Sequence, residues 1–144
     1  MSERSHVDFA LDPRIAATTL ALAETTTSLA RMMNDRRYPW IVLVPRHPNA
    51  VELFDLPAPL RHALADEAAS VAARMAKSFS AEKINIATLG NKVRQFHLHI
   101  VARRIGDAAW PDGVWNGTAA EPFDDPAQLA TMRARLQACV EPPR

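Results

Sequence analysis

Apolar and polar positions along the chain separate into a few readable stretches. Residues 38–44, Tyr-Pro-Trp-Ile-Val-Leu-Val, are aromatic and β-branched, with polar residues 34–37 before them and Pro45-Arg46-His47-Pro48 after. That composition predicts a strand, and its near-continuous apolar character predicts burial on both faces. Residues 58–78 carry Leu60, Leu64, Ala68, Val71, Ala72 and Met75 at helical spacing, so a long amphipathic helix is expected there. Residues 84–88 and 93–102 read as strands on either side of a turn at Gly90-Asn91. A helix over residues 126–139, ended by Glu141-Pro142-Pro143, closes the chain.

Near the start, Asp12-Pro13 is a helix-initiation signal, with a carboxylate cap followed by proline at the first helical position. The Ala-rich run from Arg14 to about Leu22 predicts a short helix, which Thr25-Thr26-Thr27 weakens. Residues 28–33 fit either a continued helix or a strand; as a strand, they make residues 34–37 a hairpin turn. Strands joined by tight turns, with helices gathered on one side, give an α+β class with an antiparallel sheet.

Length and composition narrow the picture. A chain of 144 residues suits one compact domain rather than two, and 48% hydrophobic against 23% charged residues excludes wholesale disorder. Seventeen basic and sixteen acidic side chains leave a net charge of +1, too balanced for a dedicated binder of nucleic-acid polymers or anionic membranes. A small anionic ligand stays open, since a few local donors serve it. The single cysteine, Cys139, forms neither an internal disulfide nor a thiolate cluster. Residues 1–6 lack the cationic stretch and apolar core of a signal peptide, and no segment approaches the about 18 apolar residues of a membrane span. The expectation is a cytoplasmic single domain spanning residues 1–144.

The stretch that carries chemistry is Arg94-Gln95-Phe96-His97-Leu98-His99-Ile100-Val101-Ala102-Arg103-Arg104. Alternation on a strand puts Phe96, Leu98 and Ile100 on the core face and Gln95, His97, His99 and Val101 on the other. Three readings fit two imidazoles and an amide in register. The face is simply solvated; or His97 and His99 bind a metal; or one imidazole is a nucleophile and its neighbour a hydrogen-bond donor or acid. Zinc wants a third or fourth ligand, which neither Cys139 nor a nearby acidic pair supplies. Phosphoryl chemistry suits the third reading, because neutral imidazole attacks phosphorus and later leaves it readily.

The motif Gln95-Phe96-His97-Leu98-His99-Ile100-Val101 resembles the histidine-triad (HIT) pattern His-φ-His-φ-His-φ-φ, where φ is apolar. Leu89-Gly90-Asn91-Lys92-Val93 is similar to that family's Ala-Gly-Gln-x-Val approach to the motif. The resemblance covers about residues 28–107, leaving residues 108–144 as a C-terminal tail and helix, and Trp110-Pro111-x-x-Val114-Trp115-x-Gly117 is similar to a bacterial branch. It implies an antiparallel sheet with flanking helices, a homodimer, and a nucleotide hydrolase or transferase that needs neither metal nor cofactor. By the same resemblance His97 corresponds to the nucleophile toward the α-phosphorus of a nucleotide conjugate, such as a phosphoramidate or dinucleoside polyphosphate. His99 corresponds to the histidine that contacts the phosphate or the leaving-group bridge. Asn91 and Asn85 match polar positions lining the site, and Asn34 the ribose-binding region. Apart from the resemblance, Arg103 and Arg104 follow the strand, where one of them can pair with phosphate in a bidentate fork or both can be a solvated strand end. His47 lies near an upstream supporting histidine of the family but at a different spacing after Pro45, and is read as a loop residue. Trp40 is read as core, and Trp110 and Trp115 as local anchors or as cover for a base. Gln95 departs from the pattern: it replaces the first histidine with an amide that carries no charge near neutral pH. A nucleotide-binding protein without turnover and a metal-binding module through His97 and His99 are the alternatives.

Overall fold

In the computed structural model, which describes residues 8–141, the long apolar run becomes β3 (Trp40–Pro45), buried along its whole length. Both edges of β3 are occupied, by β2 (Ser28–Met33) on one side and β5 (Leu98–Arg103) on the other. β1 (Thr19–Glu24) pairs with β2, and β4 (Lys83–Ala87) pairs with β5, so the sheet runs β1-β2-β3-β5-β4 with every neighbouring pair antiparallel. Residues 28–33, ambiguous in the sequence, are therefore a strand, and residues 34–37 are the turn into β3. Within that turn Arg37 is not solvated: it forms an ion pair at 2.9 Å with Asp35, whose side chain is only 1% exposed.

One face of the sheet is covered by two helices. α2 (Ala58–Ser78) buries Leu64, Ala68, Val71, Ala72 and Met75, the stripe its spacing predicted; Pro59 sits in the first turn, where a missing N–H costs no bond. α3 (Pro126–Val140) adds Leu136, Cys139 and Val140, with Asp125 capping its first turn. Against them lie Ala30, Met32, Ile41, Leu43, Ile100 and Ala102 from β2, β3 and β5. Cys139 is thus a small core residue whose thiol burial pushes further toward protonation. The tail residues Pro142 and Pro143 and the N-terminal residues 1–6 lie outside the described residues. Among the described residues no helix is long and apolar enough to cross a membrane.

The opposite face has a different cover. Trp40, Val42, Val44 and Val101 pack beneath Ile15, Phe9 and Leu11 of the N-terminal arm and beneath Val114 and Trp115. Two sequence expectations change here. The N-terminal helix is only α1 (Pro13–Thr18); residues 19–24, expected to continue it, form β1, because their backbone pairs with β2 and their alternate side chains reach both sides of the sheet. Pairing and burial override Ala-rich helix propensity. Likewise β5 starts at Leu98 rather than Val93. The Phe96 N–H bonds the carbonyl of Ala50 in the loop after β3, so this stretch leaves the β3 ladder. The alternation of faces nonetheless extends through it, with Phe96 buried in the helix-side core and His97 turned toward His99.

Candidate active site on the second sheet face

His99 sits in the middle of the sheet, opposite Val42 on β3 and Ala87 on β4, and is 5% exposed. His97 precedes the strand by one residue, and the two imidazole centroids are 4.9 Å apart at an interplanar angle of 69°. Trp40 and Trp115 close around His99 with ring centroids at 5.7 Å and 5.4 Å, and they meet each other edge to face at 6.0 Å. Burial, reinforced by neighbouring His97, pushes the His99 pKa down to about 3, so this imidazole is neutral at any physiological pH.

Backbone and indole groups set the proton positions. His97 Nδ1 lies 2.7 Å from the carbonyl oxygen of Gln95. A carbonyl only accepts, so Nδ1 carries the hydrogen, and in the neutral ring Nε2 presents its lone pair. Trp40 Nε1 donates to His99 Nδ1 at 3.0 Å, which makes that nitrogen an acceptor. A neutral imidazole with an accepting Nδ1 holds its hydrogen on Nε2. The two histidines are therefore complementary: one offers a lone pair and the other an N–H.

A cavity of about 370 Å³ opens onto both rings, lined by Leu89, Gly90, Asn91, Lys92, Val93, Trp115 and Asn116 beside them. Its volume is in the range of small-molecule sites. Gly90 turns this loop with φ of +72°, a left-handed conformation that glycine adopts without strain. A further chamber of about 50 Å³ lies on the other side of the rings, under Ile15 and Thr18 of α1. A wider open groove of about 570 Å³ runs along α3, but its lining contains no histidine.

Of the residues singled out in the sequence, the structure brings His97, His99, Asn91 and Trp115 to the cavity, whereas Gln95, Asn85, Asn34, Arg103 and His47 lie elsewhere. Gln95 is a clasp: its Oε1 accepts from the Asp12 N–H and its Nε2 donates to the Ala10 carbonyl, both at 2.8 Å. Its amide is spent on the N-terminal arm rather than turned to a ligand. Arg103 is 1% exposed and forked onto Asp107 at 2.8 Å through Nε and Nη2, while its Nη1 donates to Asn85 Oδ1 at 2.8 Å. The aromatic faces of Tyr38 and Trp110 flank the guanidinium at 5.8 and 5.5 Å. Arg103 and Asn85 thus build the framework at the far end of β5, because a buried guanidinium needs every donor met. Asn34 Oδ1 accepts from the Phe123 N–H at 3.0 Å and ties the turn to the segment before α3. His47 does not line the cavity.

Sequence reading treated Trp40 as core and passed over Lys92, Val93 and Asn116. Trp40 is core by burial and a site residue by its N–H. The signal was parity: Trp40 and Val42 share a face of β3, but which face meets His99 depends on the β3–β5 register, which local pattern does not encode. Among the described residues no group of three or more His, Cys, Asp or Glu side chains is arranged to hold a metal ion, so a metal reading has two imidazoles at most.

Comparison with known proteins bears on this arrangement. The chain is similar to a histidine triad (HIT) protein from Sinorhizobium meliloti 1021 at 41% identity, over 89% of this chain and 94% of that one, with a TM-score of 0.85. It is similar to a histidine triad protein from Marinobacter aquaeolei VT8 at 37% identity, over 93% of this chain and 97% of that one, with a TM-score of 0.89. A hypothetical histidine triad nucleotide-binding protein from Sulfolobus tokodaii strain 7 shares the fold at 12% identity, over 90% of this chain and 88% of that one, with a TM-score of 0.65. No curated protein matches the chain. A family model described as HIT domain matches residues 15–106, a span that holds the whole sheet. With most of its length under that model, and its fold shared with histidine triad proteins at 37–41% identity, the chain belongs to the HIT domain family.

Proposed function

We propose that this protein cleaves or transfers at the α-phosphate of a nucleotide conjugate, through a nucleotidyl group carried on His97. The observation that carries the reading is the pair of opposite tautomers at one cavity: a His97 Nε2 lone pair beside a His99 Nε2–H. In the first step His97 Nε2 bonds to phosphorus while the bond from phosphorus to the leaving group breaks. The leaving amine or phosphate takes its proton from solvent. His99 donates a hydrogen bond to the phosphate throughout and keeps its own proton, because its burial leaves no charged form to cycle through. His97 becomes cationic as it attacks, and the Gln95 carbonyl at 2.7 Å stabilises that charge. Asn91 and the backbone of its loop hold non-bridging oxygens. Water then attacks phosphorus, the P–N bond breaks, the proton of the water passes to solvent, and the nucleotide leaves with neutral His97 restored.

A phosphoramidate or a dinucleoside polyphosphate is the substrate class, and no metal or cofactor is required, since the cationic His97 adduct and fixed donors meet the developing charge. The same reading makes the protein a cytoplasmic homodimer and a single domain that takes a small nucleotide rather than a nucleic-acid polymer or a membrane surface. The test is release of amine from an AMP-lysine phosphoramidate by wild type beside His97→Ala. Turnover by wild type alone supports the proposal. Equal background rates in both contradict it, and binding of AMP without turnover assigns the cavity to nucleotide capture instead.

A further inference from the structure

Trp40 stands out among the groups around the two histidines. It comes from a neighbouring strand, it is 6% exposed, and its indole N–H is aimed at the inner nitrogen of His99 rather than at a backbone carbonyl. Among the described residues nothing else bonds to that nitrogen. The Trp40–Val101 and Val42–His99 pairs of the β3–β5 register fix the approach, placing the indole diagonally across from the imidazole. Trp115 packs edge to face against both rings.

We propose that Trp40 is a positioning residue that assigns His99 its role: it holds the proton on Nε2, so that His99 is always a donor and never a second nucleophile. Indole N–H has no acceptor capacity, so the bond has one polarity. Without it, the two neutral tautomers of His99 are free to interconvert. In the tautomer with Nδ1–H, the Nε2 lone pair points at the phosphate oxygens, removing a hydrogen bond and adding repulsion. Two adjacent imidazoles then present the same nucleophilic edge. The division of labour between His97 and His99 thus rests on an indole at one position of β3 and a main-chain carbonyl before β5. This deepens the proposed function, since it concerns the same site, but the tautomer itself exists whether or not the protein turns over a nucleotide.

The experiment separates those two layers. Trp40 is replaced site-specifically by benzothienylalanine, which keeps the bicyclic shape and carries sulfur where the indole has N–H; Trp40→Phe is the genetically encoded counterpart. Histidine ring nitrogens are read by 15N NMR with long-range proton correlation at neutral pH, and phosphoramidate turnover is measured on the same samples. Wild type is expected to show His99 with an unprotonated, hydrogen-bonded Nδ1 and a protonated Nε2, and both variants a shift toward averaged ring nitrogens at His99 with His97 unchanged. Turnover is expected to show kcat lowered by about tenfold or more with KM changed far less, the size of one lost hydrogen bond to a charged group. A wild-type His99 protonated on Nδ1, or a His99 tautomer unchanged in the benzothienylalanine protein, overturns the proposal. Absence of turnover in wild type with the expected NMR pattern overturns the enzymatic reading and leaves the Trp40 assignment standing.

Discussion

The two faces of this sheet are built from the same strands yet do opposite work. On the helix side, Ile41, Leu43 and Ile100 meet α2 and α3 through apolar contact alone, each essentially inaccessible to water. On the other side, the neighbours of those same residues, Trp40, Val42 and His99, meet a thin cover made of α1, the arm before it and the Trp115 segment. A face closed by two long helices is filled, and its tolerance for change is set by packing. A face closed by a short arm leaves room beside the cover for a cavity, and a buried imidazole there survives because an indole satisfies it. Adjacent residues of one strand thus separate stability from chemistry.

The widest break between the faces should come from residues 97 and 100. His97→Ala removes the proposed nucleophile and is expected to lower turnover by about 10⁴-fold or more while leaving the urea midpoint nearly unchanged, since the ring is partly exposed. Ile100→Ala, three residues on, is expected to cost about 2–5 kcal/mol of stability and to retain activity in the molecules that stay folded. The comparison fails if the two variants exchange phenotypes.

Next in size is the framework end of the site face. Asp107→Ala strips the fork from a guanidinium that is 1% exposed, and a buried charge left without its partner costs about 3–5 kcal/mol. Arg103 holds the Asp107 carboxyl below its ordinary range. A depressed carboxylate stabilises the fold above its unfolded pKa, and that contribution is lost as pH falls through the folded value. Urea unfolding of wild type should therefore weaken in acid below about pH 4, and the Asp107→Ala protein should show less of that acid dependence.

A smaller effect comes from His99 between pH 7.5 and 5. The unfolded chain takes up a proton at His99 near pH 6.5, whereas the folded protein resists until about 3. Its contribution to stability is thus complete above pH 6.5 and is lost progressively as pH falls toward 3. His99→Gln should flatten the pH dependence of the urea midpoint over that interval relative to wild type; parallel profiles would show that the buried imidazole is not held neutral. The smallest expected effect belongs to Gln95→Ala. Loss of two hydrogen bonds to the arm should raise amide exchange at Asp12 by about tenfold and change global stability little.

Most of the architecture was legible because it rests on periodicity and composition. The apolar run of β3, the stripe of α2 and the proline-initiated α3 each declare themselves over a single window of sequence. What local pattern could not supply was pairing. Leu20 and Leu22 look helical until β2 lies beside them, and residues 93–97 look like a strand until Phe96 is bonded to Ala50. The site divides the same way. His97 and His99 are visible from their alternation, and Asn91 from the turn it shares with Gly90. Asn85, Asn34, Arg103 and Gln95 read as ligand-binding from their place in the sequence, but each has polar atoms engaged by other groups of the protein. The role of Trp40 depends on the β3–β5 register, and no single window contains both strands.

The central claim is that His97 carries the nucleotidyl group while His99 only donates. Mixing excess protein with an AMP phosphoramidate, quenching within one turnover at alkaline pH and mapping the adduct by peptide mass analysis tests it most directly. The expected result is a nucleotidyl group on His97 that forms and decays at rates matching turnover, absent from His97→Ala. Turnover without any adduct, or an adduct on His99, would contradict it.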